Sequence, residues 1–192
     1  MPIHITDSQS VYAAFFIVIG ILIVAGIYIA IRKSRSKAFK DRFGTEYDRA
    51  VIEHGSAHKA ESKLSDRETR VEGLKLRDLG ATERERFLSE WNVVQSRFVD
   101  HPKAAVTEAD DLINSLLEAR GYPRADFEQR ANDISVTYPL VMENYRNAHS
   151  TAVRTGPREA TTEELRSAMI QYRAIFDDLL KAGKQVDIKT AA

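Results

Sequence analysis

Residues Val11 to Ile31 form an unbroken run of 21 uncharged, mostly apolar residues, and Arg32, Lys33, Arg35, Lys37 and Lys40 follow before the next acid, Asp41. At 1.5 Å per residue a helix of that length reaches roughly 30 Å, the hydrocarbon thickness of a bilayer. Every backbone amide and carbonyl in lipid must be satisfied within its own segment, so such a run reads as a spanning helix. Charge sets its direction. The leader, residues 1–10, holds no Lys or Arg, whereas five cations crowd the other flank. Excess Lys and Arg stay cytoplasmic, which predicts a short tail outside and the 161 residues from Arg32 onward inside.

A cleaved secretory signal is the rival reading. Such signals carry a positive n-region, an apolar stretch of about 7–15 residues and a small-residue cleavage site. Here the n-region lacks Lys and Arg, the run is longer, and the best cut site, Val24-Ala25-Gly26, lies inside it. An uncleaved anchor is the expectation. Tyr12 and Tyr28 stand near its ends, where amphipathic rings favour the headgroup level. Gly26 and Ala30 make a small-xxx-small pair that permits close approach of a second helix.

Zero cysteines exclude disulfides, thiolate metal sites and a cysteine nucleophile. The chain balances 28 Lys and Arg against 28 Asp and Glu. Setting aside the five basic flank residues and Asp7 leaves 23 against 27 from Asp41 onward, a net of −4. A nucleic-acid binder needs a basic face for phosphates, and none appears beyond the membrane flank, so nucleic acid is not an expected partner. The basic flank instead suits anionic lipid headgroups, each charge contributing roughly 1 kcal/mol near the surface.

No stretch keeps the period-2 alternation of a strand, which predicts an all-α chain. Phe43, Tyr47 and Val51 mark a short helix over 39–53, with Gly44 and Gly55 as bends. Ala57, Ala60, Leu64, Val71 and Leu74 trace a heptad-like seam over 57–79, interrupted by Arg67 and flanked by charge. That pattern predicts a coiled-coil arm or a stalk packed on one side. Gly80 ends it, and Thr82 with Glu85 resembles a capping box before Phe87, Trp91, Val94 and Phe98.

Pro102 restarts a helix with Val106, Ala109, Ile113, Leu116 and Leu117 inward. Phe127, Ala131 and Ile134 line the next, and Val141 and Tyr145 the one after Pro139. Thr161 and Glu164 form the clearest capping box, opening a helix that faces inward with Leu165, Ala168, Met169, Tyr172, Ile175, Phe176, Leu179 and Leu180. The expected organisation is a tail (1–10), a transmembrane helix (11–31), a basic juxtamembrane segment (32–40), a helical stalk (41–81), a bundle of four or five helices (82–182) and a frayed tail (183–192).

Chemistry-bearing groups are sparse. His54 and His58 share a helical spacing with Glu61, but Gly55 weakens that helix and no third histidine follows, so a solvated face is favoured over a metal site. Asp100, between Arg97 and His101, suits a cap on the Pro102 helix better than acid–base work. Asp110-Asp111 and Asp177-Asp178 diverge around their helices and form no carboxylate dyad. The paired Glu-x-x-His motifs of di-iron bundles and the glycine-rich phosphate loops are missing. No catalytic, cofactor-binding or metal-ligating residue is assigned.

Phe43-Gly44-Thr45-Glu46-Tyr47-Asp48-Arg49, Gln95-Ser96-Arg97-Phe98-Val99-Asp100, Arg120-Gly121-Tyr122-Pro123, Tyr145-Arg146-Asn147-Ala148-His149 and Thr162-Glu163-Glu164-Leu165-Arg166, with Trp91 and Ala109-Asp110, form a combination spread over residues 43–180. It resembles an uncharacterised bacterial family of small, single-pass, all-helical proteins labelled hypothetical or secreted. The resemblance implies only a common helical architecture and supplies no catalytic residue or ligand; the expected location, from the anchor and its basic flank, is the bacterial inner (cytoplasmic) membrane.

The leading expectation is a membrane-anchored, cytoplasm-facing interaction or scaffold module. The alternative is an enzyme or small-ligand sensor with a pocket between bundle helices, drawing on Arg97, Asp100, His101, Arg120 and Tyr122. Those residues crowd opposite ends of the Pro102 helix, about 27 Å apart. A parallel homodimer is also expected, through Gly26 and Ala30 in the anchor and Leu64, Val71 and Leu74 in the stalk. Packing of that same stripe on the chain's own bundle is the competing arrangement.

Overall fold

The computed structural model describes residues 7–154 and 159–181. Pro157, the first six leader residues and the expected tail 183–192 lie outside them. The described residues are all-helical, with eight α-helices, one 3₁₀ turn and no strand. The chain divides into two compact units, Met1–Arg42 and Phe43–Ala192.

The first unit is one long helix, α1, Asp7–Phe43. It begins before the apolar run and continues through the basic segment without a break. From Ala14 to Phe43 it is long and apolar enough to cross a membrane; its most apolar 18-residue window has a mean hydropathy of 2.9 and none of that window is buried. Thirteen large apolar side chains, from Tyr12 to Ile31, stand exposed along it.

The second unit starts where Gly44, at φ 51° and ψ −125°, breaks the helix. That backbone is accessible to glycine and costly for any other residue. Then come α2 (Thr45–His54) and α3 (Ala57–Glu72). Gly55, left-handed at φ 73°, closes α2, and the Ser56 side chain accepts from Lys59 N–H to open α3. Five more helices and the turn complete the unit: α4 (Ala81–Arg97), α5 (Pro102–Ala119), α6 (Phe127–Thr137), the 3₁₀ turn Pro139–Val141, α7 (Met142–Ala152) and α8 (Thr162–Leu180). Helix α8 packs against α5 and α7, α4 against α5, and the α2–α3 hairpin against α6, α7 and the turn.

The core lies among α4, α5, α7 and α8. Trp91 stacks on Phe176 with ring centroids 4.7 Å apart. All eight residues expected on the inner face of α8 are buried, as are the five expected on α5. The Thr161–Glu164 capping box forms in both directions, with the Thr161 N–H donating to Glu164 at 2.7 Å.

Three local expectations are corrected. The helix expected to run to Leu79 stops at Glu72, and residues 74–79 form a non-helical strap whose Arg77 N–H donates to Arg120 O at 2.9 Å. Leu74 and Leu76 lean on the core and Leu79 is buried in it. Glu83, not Glu85, caps α4, accepting from the Gly80 N–H at 3.0 Å. His101, not Asp100, is the N-cap position of α5, and no side chain caps it. Pro102 at the first position removes one of the orphan N–H groups that a cap would serve.

The stripe of the 57–79 segment lies within the helical unit. Residues 43–80 belong to the same compact unit as the bundle. Ala60 and Leu64 are wholly buried and Val71 nearly so, while Leu74 is half-buried against the bundle core. The stripe therefore packs intramolecularly, and a coiled-coil seam built on Leu64 and Val71 would first have to expose them.

Candidate functional site

The five basic residues all lie exposed on α1. At 100° per residue Lys33, Lys37 and Lys40 share one face, while Arg32 and Arg35 point away from it. The cations are thus spread around the helix and do not form a single stripe. The Arg35 guanidinium sits 5.8 Å from the Phe39 ring. Gly26 and Ala30 are exposed on the apolar portion, and a Cβ at Gly26 would meet only open space.

Within the bundle, the side chains that carry perturbed chemistry centre on Asp110. Its Oδ1 accepts from the Tyr172 hydroxyl at 3.0 Å and lies 3.4 Å from His149 Nδ1. Its Oδ2 is 3.9 Å from an Arg130 nitrogen. Arg130 Nε in turn donates to the Tyr145 hydroxyl at 2.8 Å. The His149 ring lies flat on Phe127, centroids 3.6 Å apart. Four helices, α5 to α8, thus meet at one carboxylate.

Burial disfavours the charged form of Asp110, but the hydrogen bonds and charges of His149, Tyr172 and Arg130 outweigh it and hold its pKa below the ordinary value. Burial pushes the Tyr145 phenol up to about 12, and burial together with the Asp110 charge raises Tyr172 strongly. Neither tyrosine ionises near neutrality. These groups satisfy one another, as a polar network inside a bundle must.

A second polar cluster ties the α2–α3 hairpin to the bundle. Glu46, 3% exposed, accepts from Arg146 at 2.9 and 3.3 Å, and Arg67 approaches it to 3.8 Å. Arg146 also reaches Glu128 at 2.9 Å. Sequence reasoning passed over both clusters. Their signal was a polar residue set inside an apolar stripe: Asp110 between Val106 and Ile113, His149 following Tyr145, and Glu46 between Phe43 and Ala50.

The residues considered for an enclosed pocket do not converge. Arg97 pairs with Glu108 at 2.7 Å, and Asp100 and His101 are exposed in the loop before α5. At the far end of α5, buried Arg120 donates to the Leu179 carbonyl at 2.7 Å and so caps α8, while the Tyr122 hydroxyl meets Thr137 at 3.2 Å. Glu61 accepts from the Tyr47 hydroxyl and is buried, whereas His58 is exposed. Among the described residues no group of three His, Asp or Glu is placed to hold a metal ion.

A shallow groove of about 390 Å³ runs between α4 and α5 on their outer side, lined by residues of both helices. Compared with models of known families, with curated proteins and with solved structures, the chain matches none of them.

Proposed function

We propose that this protein is a single-pass membrane protein whose helical unit, residues 43–181, is an interaction module held at the inner face of the bacterial cytoplasmic membrane. The observation that carries this reading is α1: an apolar window of mean hydropathy 2.9, none of it buried, running directly into five exposed cations. Apolar surface left in water is unfavourable by about 25 cal/mol per Å². A helix that buries none of its apolar face in the fold therefore needs another apolar phase, and a bilayer provides one. Anchoring would raise the effective concentration of the helical unit for other membrane-held proteins, and the basic segment would rest on anionic headgroups.

The resemblance to small single-pass bacterial proteins agrees with this reading. Self-association through Gly26 and Ala30 belongs to it as well, both residues being exposed on α1.

The chain has no cysteine, so single cysteines report its topology cleanly. Ser62→Cys, on the exposed face of α3, should react with a membrane-impermeant maleimide only after lysis, and Ser8→Cys should react in intact cells. Labelling of Ser62→Cys in intact cells, or recovery of the chain in the soluble fraction, would overturn the proposal.

The second reading, an enzyme or small-ligand sensor, is favoured by one observation, the perturbed groups around Asp110. It ranks below the first because Asp110, Tyr172, Tyr145 and Arg130 are engaged with one another.

A further inference from the structure

Helix α5 is covered on one side by α7 and α8 and on another by α4, and the groove between α4 and α5 is lined by residues of those two helices. The groove there follows two helical ridges. Ser89, Val93 and Arg97 recur at i, i+4 and i+8 on α4, and Glu108, Leu112 and Ser115 at i, i+4 and i+7 on α5. Serines at both rims leave room for a close backbone approach. Val94 and Leu112 form the floor, and Val93 stands half-exposed beside them. The ridge from 89 to 97 spans about 12 Å, the length of roughly two helical turns.

The rim is acidic and incompletely neutralised. Arg97 is the one cation lining the groove, and Glu108 engages it at 2.7 Å. Glu90 has Arg86 at 3.8 Å. Asp111 makes no ion pair among the described residues. Its carboxyl is pushed up by partial burial and by the charges of Asp110 and Glu108. An occupant that set a cation beside Asp111 while covering Val93 would bury the apolar floor and relieve that repulsion together. The same carboxylates disfavour polyanions, nucleic acid and anionic lipid alike.

We infer that the α4–α5 groove is the docking site of this module for an amphipathic helical segment of a partner protein that carries Lys or Arg at the edge of its apolar stripe. This is the helix-in-groove mode of recognition, with apolar anchors at i, i+3 or i+4 and a flanking charge that sets the register. The inference rests on the reading of the protein as an interaction module and names the chemistry of its partner. Its failure is separable from failure of that reading, because the cysteine-labelling test does not involve the groove.

The experiment uses the full chain in a nonionic detergent and a fluorescent amphipathic Leu/Lys peptide of about two heptads, with its Leu/Glu counterpart as control. Peptide uptake by the micelle is common to all chains, so differences between chains report the groove. The wild-type chain should bind the Leu/Lys peptide saturably. Asp111→Asn and Val93→Asp, both at exposed positions, should each weaken that binding about tenfold. Ser115→Arg, which fills the groove and pairs with Asp111 from one turn away, should weaken it too, and serves if either other variant loses its helical circular dichroism. Equal affinity of all chains, absence of saturable binding to the wild type, or equally tight binding of the Leu/Glu peptide would each overturn the inference.

Discussion

Arg146 grips Glu46 across a separation of 100 positions, donating Nε to Oε1 at 2.9 Å and Nη2 to Oε2 at 3.3 Å. Glu46 is on α2, the first helix after Gly44, and Arg146 is on α7. The bidentate pair therefore fastens the start of the helical unit to its centre, where an isolated buried charge would be prohibitive.

Removing one partner should cost far more than removing both. Arg146→Met leaves Glu46 buried, with Arg67 at 3.8 Å as its nearest remaining cation, and should destabilise the unit by about 3–5 kcal/mol. The double variant Glu46→Met/Arg146→Met removes the pair but leaves Arg67 without this carboxylate, so it should recover part of that loss. Chemical denaturation followed by Trp91 fluorescence measures both. A double variant less stable than Arg146→Met would sink the argument.

Gly121 joins α5 to the chain that leads into α6. It lies at φ 95°, and a Cβ there would come to 2.5 Å from the Lys75 carbonyl oxygen in the strap. Gly121→Ala meets both a left-handed backbone penalty and a backbone clash, so we expect a loss of at least about 2 kcal/mol. Gly44→Ala carries backbone strain alone, since nothing lies near its Cβ position, and should be the milder change. Thermal melts of the two variants side by side check the ranking.

The stripe of α3 yields a prediction opposite to the one a stalk would give. Leu64→Asp with Val71→Asp places two charges among residues that are buried within the single chain, so the helical unit should unfold as a whole. Leu64→Ala alone should cost about 2–5 kcal/mol. Loss of crosslinked dimers with an intact circular-dichroism melt would restore the coiled-coil reading.

The pattern of this stripe explains where the sequence was legible and where it was not. Apolar spacing identified the buried face of α8 residue by residue and most of that of α5, where Ala105 and Leu112 are buried as well, because a helix with one core face shows its period directly. It also located the α3 stripe. What the stripe packs against is a tertiary fact, since coiled-coil seams and bundle faces share one spacing. Residues 74–79 misled for a related reason. Their leucines continued the apolar count of α3, yet the strap is non-helical and its Arg77 N–H bonds the Arg120 carbonyl, a contact some 40 positions away. Gly73, at the end of α3, was the overlooked local stop. The clusters around Asp110 and Glu46 were hidden because charged residues on a highly charged chain look solvated until the fold buries them.

Acid should loosen this fold through a short list of carboxylates. Glu83 and Glu164 are half-buried, and each is held at about 2 in the folded chain. The cause for Glu83 is first the Arg77 guanidinium and then the Gly80 N–H; for Glu164 it is first the Thr161 backbone and then Arg154. Asp110, part-buried, is also held low. A carboxylate whose folded pKa lies below its unfolded value stabilises the native state above the unfolded pKa, here 4.5 for the glutamates. That contribution disappears as pH falls through the folded value. The melting temperature should therefore drop between pH 4.5 and 2, and the Glu164→Gln chain, less stable than wild type at neutral pH, should converge on it across that window. Asp111 runs the other way. Its pKa is raised in the folded chain, so its contribution is present below its unfolded value and is lost as pH rises through the folded one. Asp111→Asn should then melt at or above the wild-type temperature at neutral pH, with the difference fading in acid. Melting curves collected across pH for the three chains decide it. A gap between wild type and Glu164→Gln that stays constant down to pH 2 would show that the cap does not act through its charge.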